Sequence, residues 1–536
     1  MFQKIRELSK NLAIYGLGDV ATQAVNFLLL RVYVQYLSPA DYGVLALLGS
    51  VEAVTKLFFR WGVDGSFMRF WYDCEDDRAR QRLASTLFFF LLALNGILLA
   101  LAVIASPWLS TCIGTPGYTI ALQLVLLNTF AIGFTFIPFH VLRMQQRARE
   151  FSVLAFARSA STLVVRLLLV VGLGYGVMGV VFADLIVTAV LLTVMIRWFA
   201  PIIRPMFSTQ ILRDSLAFGL PRVPHGFAQQ VIAVGDKFIL SVFAVPLSQI
   251  GLYSMGVSVG LIQKIFLAAF EYAWAPFYYA TVREPGAERI FSGITTYGVA
   301  VLALMTAGLS AIAADLLEVI THGQYTAAAG VVAWTAVGVF FQGVYLMTSI
   351  GLNITRHTRY YPVSTAVAAS LNVGLNVVLI PRYGIMGAAY ANGIAYAAQA
   401  AIAYQFSQRF YPIRYELGRL TTVVAAAAIA YLAAIALPAM APIVGILARG
   451  TTVVAVMAAG LWLGGFLQAD ELRILQRIRI GRSARDTAVT PSSDTTEFAG
   501  EIVATEIQDE AVAVPREHES GARKVEASRV RQENAE

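Results

Sequence analysis

The sequence predicts an all-α membrane protein of about fourteen transmembrane helices, built as two parallel six-helix repeats plus two extra helices. Three observations predict it: composition, the placement of basic residues, and an internal offset. Of 536 residues, 58% are hydrophobic and 14% charged, with a mean hydropathy of +0.67. A soluble domain carries roughly 25% charged residues, so this chain has too little polar surface to face water all round. The net charge of +7 calls for no nucleic acid, because a membrane protein gathers its basic residues in cytoplasmic loops.

A spanning helix needs about 20 mostly apolar residues. Such stretches occur at 11–36, 42–62, 84–105, 119–140, 152–172, 177–199, 215–243, 250–272, 291–313, 327–350, 361–381, 385–406, 419–437 and 443–467. Met1 to Lys10 carries Lys4, Arg6 and Lys10, but no clear small-residue cleavage site follows, so 11–36 reads as a first span rather than a cleaved signal. Alternate loops then hold Arg69, Arg78, Arg80, Arg82, Arg143, Arg147, Arg149, Arg197, Arg204, Arg213, Arg283, Arg289, Arg356, Arg359, Arg409 and Arg414. The opposite loops hold Arg382 alone. This asymmetry predicts a multi-pass protein of the cell inner membrane with both termini cytoplasmic. Cys74 and Cys112 then fall on opposite sides and do not pair.

The internal offset fixes the organisation. Tyr175-Gly176-Val177-Met178-Gly179-Val180-Val181-Phe182-Ala183-Asp184 matches Tyr383-Gly384-Ile385-Met386-Gly387-Ala388-Ala389-Tyr390-Ala391-Asn392, 208 residues later. Tyr42-Gly43 aligns with Ile250-Gly251, and Lys56 with Lys264, at the same offset. Residues 1–208 and 209–416 therefore read as two copies of a six-helix unit. Six is even, so both enter the membrane in the same sense, related by an axis along its normal. Residues 417–469 add two spans. Asp470 to Ile480 forms a basic amphipathic segment suited to the cytoplasmic lipid surface. Residues 481–536 have the composition of a disordered cytoplasmic tail.

Ionisable groups inside a bilayer are expensive and face a cavity or a partner. The cations of this kind are Arg31, Lys56, Arg60, Arg158, Arg166, Lys237 and Lys264; the anions are Asp19, Glu52, Asp64, Asp184, Asp236 and Glu271. Glu52 and Lys56, four apart, share a helix face and can pair. Lys264 has no acid four positions either side. Arg60 and Arg158 suit snorkelling to the cytoplasmic surface. Arg31, Arg166 and Lys237 lie in outer helix halves, where the topology asks for no cation. A water-filled cationic cavity formed by Arg31, Lys56, Arg166, Lys237 and Lys264 accounts for them, and phosphate is its natural ligand. Asp19 and Asp236 lack local partners and are the candidates for a coupling ion. Asp236 and Lys237 are adjacent, point apart, and are not expected to pair.

Other patterns carry no chemistry. Gly174-Tyr175-Gly176-Val177-Met178-Gly179 fits a dinucleotide fingerprint, but it bridges two spans instead of opening a βαβ unit. His140 and His225 have no ligand cluster, so neither a metal nor a cofactor is expected. No nucleophile–base constellation appears and no loop is long enough to hide a catalytic domain, so an enzyme is not expected.

Three stretches carry a family resemblance. Leu37-Ser38-Pro39-Ala40-Asp41-Tyr42-Gly43 resembles the first outer turn of polysaccharide flippases of the Wzx and RfbX type. Residues 315–328, from Asp315 to Ala328, resemble their motif after the ninth helix. Tyr383-Gly384-Ile385-Met386-Gly387-Ala388-Ala389 resembles a further turn. These flippases belong to the multidrug/oligosaccharidyl-lipid/polysaccharide exporter superfamily. The resemblance covers roughly residues 1–470. It implies two lobes around a central cavity in a MATE-like fold. It also implies that a polyprenyl-pyrophosphate-linked oligosaccharide is flipped from the cytoplasmic to the periplasmic leaflet by alternating access. The implied partners are that lipid-linked oligosaccharide and membrane lipid, with polysaccharide polymerase or export machinery as candidates, and the chain itself is expected to be a monomer. The alternatives are a multidrug or cation exporter of the same superfamily, a peptidoglycan-precursor flippase, a membrane-bound polymerase or ligase, and a scaffold acting through its tail.

Overall fold

The computed structural model describes residues 34–466, which form helices and turns with no strand among them. The turn at Leu37-Ser38 comes from local chemistry. Ser38 caps the first helix: its hydroxyl accepts from the Asp41 amide at 3.2 Å, and the Asp41 carboxylate accepts from the Ser38 amide at 3.1 Å. Pro39 follows at the position where a missing N–H does no harm. Helix α1 then runs Pro39–Arg60. It stops because Trp61 and Gly62 take left-handed backbone (φ 50° and 70°), and α2 restarts at Val63–Asp73. The predicted span 42–62 is therefore shifted toward the N-terminus and continues past a kink.

The next helices are α3 (Asp77–Cys112), α4 (Thr119–Gly133), α5 (Phe136–Met144), α6 (Ala148–Arg166) and α7 (Gly176–Ile202). A π-helical turn, Leu167–Gly172, extends α6. There follow α8 (Thr209–Gly219), α9 (Val223–Val242), α10 (Leu247–Gly260), α11 (Lys264–Thr281), α12 (Ala287–Thr321) and α13 (Ala329–Thr348). The chain closes with α14 (Ile350–Ile354), α15 (Tyr360–Tyr383), α16 (Ile385–Phe410), α17 (Leu417–Ile435) and α18 (Pro442–Leu463). Ser208 and Glu416, the last residues of the two predicted repeats, each stand at the N-terminal boundary of a helix, and the Ser208 hydroxyl caps its helix by accepting from the Ile211 amide.

Among the described residues, eleven helical stretches are long and apolar enough to cross a membrane. Each coincides with a predicted span. The predicted span 11–36 lies outside the described residues except for its last three. The remaining two, 215–243 and 385–406, are helical but less apolar. The first is broken at Leu220–Arg222 into α8 and α9. The second, α16, carries polar residues that neighbouring helices satisfy: Gln399 donates to Thr365 at 3.1 Å and Asn392 to Asp236 at 3.2 Å. Such groups tolerate a bilayer only inside a protein bundle. The segments 470–480 and 481–536 lie outside the described residues.

Helices α3 to α7 pack with one another and against α1, and α12, α13, α15 and α16 pack with α9 and α10; α1 meets both α9 and α10. At its Pro39 end α1 crosses α10. A Cβ on Gly43 would lie 3.1 Å from the Gly251 nitrogen, and a Cβ on Gly251 would lie 3.1 Å from the Gly43 nitrogen. Only glycine permits that approach. At its Arg60 end α1 meets α9 through Phe58 and Phe227, with ring centroids 5.8 Å apart. Gly62 meets Gly219 there, backbone to backbone.

Candidate functional site

Charged side chains on the membrane-spanning helices define the candidate site, and they fall into two groups. Arg31 and Asp19 lie outside the described residues. The first group surrounds α6. Lys56 Nζ is 2.5 Å from Glu52 Oε1, so the local pair predicted by spacing is made. Arg166 does not stand alone. Its guanidinium grips Asp184 of α7 with both prongs, Nε to Oδ1 at 2.9 Å and Nη2 to Oδ2 at 2.7 Å. A planar fork matched to a carboxylate is the strong form of such a pair. Arg158, two turns earlier on the same helix and half-buried, lies within electrostatic reach of Asp184, Glu52 and Arg166. It thus joins the two pairs into one seam of alternating charge.

Arg60 also has a partner: Nη1 donates to Asp64 at 2.9 Å, across the kink between α1 and α2. The pair extends the expectation of simple snorkelling.

The second group centres on Asp236, 1% exposed in α9. The sequence offered its side chain no local partner, and the fold brings two from elsewhere while the next residue's amide adds a third. Tyr253 of α10 donates its hydroxyl to Oδ2, Asn392 of α16 donates at 3.2 Å, and the Lys237 amide donates to Oδ1 at 2.7 Å. The expectation that Lys237 points away is corrected. Its Nζ lies 3.9 Å from Asp236 Oδ1, at the edge of an ion pair, and both side chains are buried. Adjacent residues on a helix diverge at Cβ, but a lysine stem is long enough to curl back.

Lys264 opens α11, just after a 3₁₀ turn at Leu261–Gln263 interrupts the span. It is exposed, with no carboxylate within ion-pair distance among the described residues. Its neighbour Gln263 is buried instead, donating to the Ala336 carbonyl and accepting from Thr306 at 3.2 Å. The backbone therefore places a buried amide and an exposed amine at successive positions.

One ion pair was missed in the sequence. Arg449 of α18 donates to Asp315 of α12, and both side chains are largely buried. Gly445, one turn before Arg449, leaves the room: a Cβ there would meet the Asp315 carboxylate. An arginine inside an apolar last span was the available signal. Among the described residues no cluster of His, Cys, Asp and Glu could hold a metal ion.

The arrangement offers fixed cations of two kinds: guanidinia held by carboxylates, and a lysine without one. Either suits a phosphate-bearing anion more than bond-making chemistry.

The comparisons with known proteins agree with the fold. The chain is similar to a lipid II flippase, MurJ, in an inward closed conformation, with a TM-score of 0.65 at 13% identity over 83% of this chain and 98% of that one. It is similar to an inward-facing multidrug-resistance MATE family transporter of the MOP superfamily, with a TM-score of 0.61 at 15% identity over 75% of this chain and 95% of that one. A further MATE crystal structure, of a point mutant, gives 0.54 at 16% identity over 77% and 96%. No curated protein matches the sequence. The MATE-like fold that the turn motifs implied is thereby borne out, and the chain is a multi-pass membrane protein with a flippase and transporter fold. A family described as polysaccharide biosynthesis protein matches residues 34–329, more than half of the chain, and to that family this chain belongs.

Proposed function

We propose that the protein flips a polyprenyl-pyrophosphate-linked oligosaccharide from the cytoplasmic to the periplasmic leaflet of the inner membrane by alternating access. In this reading residues 1–208 and 209–416 are the two lobes, and both termini are cytoplasmic. The observation that carries it is the matched depth of Lys56 and Lys264. The two helices cross at Gly43 and Gly251, and each lysine stands equally far beyond the crossing, about 20 Å at 1.5 Å per residue. The hydrocarbon core is about 30 Å thick. In this reading the lysines sit roughly two-thirds of the way across, one on each lobe, toward the cytoplasmic mouth. Among the described residues Lys264 has no carboxylate to neutralise it, so in this reading water or an anionic ligand does. A pyrophosphate meets that need while its polyprenyl tail stays in lipid.

Arg158, Arg166 and Lys237 extend the cationic path, with Arg31 as its outer member. Asp236 is the coupling carboxylate in this reading, with Asp19 a second candidate. An inside-negative potential assists the outward step, since moving one charge through about 100 mV is worth roughly 2.3 kcal/mol. The test is to locate lipid-linked glycan by leaflet in a null mutant. Accumulation on the cytoplasmic face is expected; normal flipping with unpolymerised product outside overturns the proposal.

A further inference from the structure

A second site lies away from the charges described above, where α5, α6 and α7 end on the side opposite the Gly43–Gly251 crossing. Tyr118, at the start of the span containing α5, reaches Asp41 at 3.3 Å, so Met144 and Ile202 lie at the other end of the bundle. Between these helix ends is a pocket of about 560 Å³. Val141, Pro201 and Ile202 supply apolar lining, and Arg147, Glu150 and Arg197 supply charge.

Both walls are held in place. Gln146 takes left-handed backbone (φ 57°), and the turn is tied by Gln145 N to Val141 O at 2.9 Å and Arg147 N to Leu142 O at 2.9 Å. Arg147 Nε donates to Glu150 Oε1 at 2.7 Å and Nη2 lies 2.5 Å from the same oxygen, which fixes the plane of the guanidinium and leaves Nη1 uncommitted to Glu150. On the far wall Gln81 donates to the Pro201 carbonyl at 2.9 Å, and the Arg204 amide donates to Ser85 Oγ at 2.8 Å. A preformed pocket loses little entropy on binding.

The geometry points to a binding site for the phosphate headgroup of an anionic glycerophospholipid. Apolar lining beside two guanidinia, where spans leave the bilayer, matches a lipid with acyl chains on one side and phosphate on the other. A pocket of several hundred Å³ is the size for a headgroup with its glycerol and is too wide for a lone phosphate. Arginine is the residue suited to grip phosphate oxygens in pairs. The site rests on the topology proposed above for its leaflet: it faces the cytoplasmic one, where anionic lipid is attracted to basic surfaces. It is distinct from the path of Lys56, Lys264 and Arg166.

The test uses the full chain reconstituted with mixed phosphatidylglycerol and phosphatidylcholine, and counts phosphatidylglycerol retained after detergent extraction by native mass spectrometry. Arg147→Gln with Arg197→Gln should weaken retention of one phosphatidylglycerol roughly tenfold. Arg283→Gln with Arg289→Gln, which removes the same charge elsewhere, should leave it unchanged. Equal loss in both double variants, or loss in neither, overturns the site. Excess inorganic phosphate should not displace the lipid; displacement overturns the lipid assignment in favour of free phosphate. If the first double variant fails to fold, Arg197→Lys keeps the charge without the planar fork and should still lower retention severalfold. Retention at the wild-type level in that variant overturns the proposal. Failure here leaves the flippase reading intact, because the leaflet assay in the null mutant does not depend on this pocket.

Discussion

Gly43 and Gly251 each occupy the space that the other's missing side chain leaves. The hypothetical Cβ of either lies 3.1 Å from the backbone nitrogen of the other. The same exchange repeats one turn away: a Cβ on Gly43 would strike the Leu247 carbonyl, and one on Gly251 the Pro39 carbonyl. Both residue pairs, Gly43 with Gly251 and Pro39 with Leu247, are separated by 208 positions, the offset of the sequence repeat. A contact that maps onto itself under that offset is what a two-fold axis along the membrane normal would produce.

Gly43→Ala and Gly251→Ala should each therefore destabilise, since the obstacle is backbone and cannot rotate away. About 1–3 kcal/mol is the usual scale for overpacking. The double variant should cost less than the sum, because one methyl already pushes α1 from α10 and admits the second. Gly49→Ala, with open space around its Cβ, should be neutral or better. Thermal unfolding of the purified chain checks all four; strict additivity would mean that the two contacts are independent.

The Arg166–Asp184 pair separates stability from transport. Removing one partner leaves an uncompensated, half-buried charge, which costs less than the roughly 3–5 kcal/mol of a fully buried pair. Arg166→Met and Asp184→Leu should each lower the unfolding temperature, and together should recover most of it. If Arg166 also serves the anionic substrate, the stable double variant remains defective in glycan export. Full export in a stable double variant would assign the pair to architecture alone.

How much of this was legible in advance depends on chain separation. The Glu52–Lys56 pair is written in four residues and was read directly. Span positions followed from hydropathy alone, because the bilayer sets their length. The partners of Asp236 were not legible. Tyr253 stands 17 residues away and Asn392 stands 156 away, and nothing in a single sequence couples them. Asp315 and Arg449, 134 apart, were likewise hidden, although a buried arginine demands a partner somewhere. The kink at Trp61-Gly62 was missed because hydropathy does not sense backbone handedness.

Asp236→Asn isolates the coupling role. The amide can still accept from Tyr253 and Asn392, so the variant should fold. With the carboxylate gone, dependence of flipping on a sodium or proton gradient should disappear in proteoliposomes. A gradient dependence equal to that of the wild type would remove Asp236 from the coupling path.

Lys56→Ala with Lys264→Ala tests the mouth of the path. Lys56 is half-exposed and Lys264 exposed, so their loss should change stability little. Loading of lipid-linked substrate should fall severalfold, with Lys264→Ala the more damaging single change because Lys56 is already neutralised by Glu52. Unchanged surface glycan in the double variant would return both lysines to ordinary pairing and snorkelling.

The two native cysteines report the topology without any engineering. Cys112 ends α3 and is exposed; Cys74 follows α2 and is half-buried, its thiol donating to the Phe70 carbonyl at 3.2 Å. They lie at opposite ends of one long span. Burial pushes the Cys74 thiol up, more than neighbouring Arg80 pulls it down. The thiolate is the reactive form, so at neutral pH Cys74 should react slowly and should gain rate as pH rises toward its raised pKa. In whole cells an impermeant maleimide should label Cys112 alone. Permeabilised cells should show Cys74 as well, with its labelling steepening at alkaline pH. If Cys74 is labelled from outside while Cys112 is protected, the chain is inserted the other way. The lysine mouth would then face the periplasm, and the direction of flipping would reverse with it.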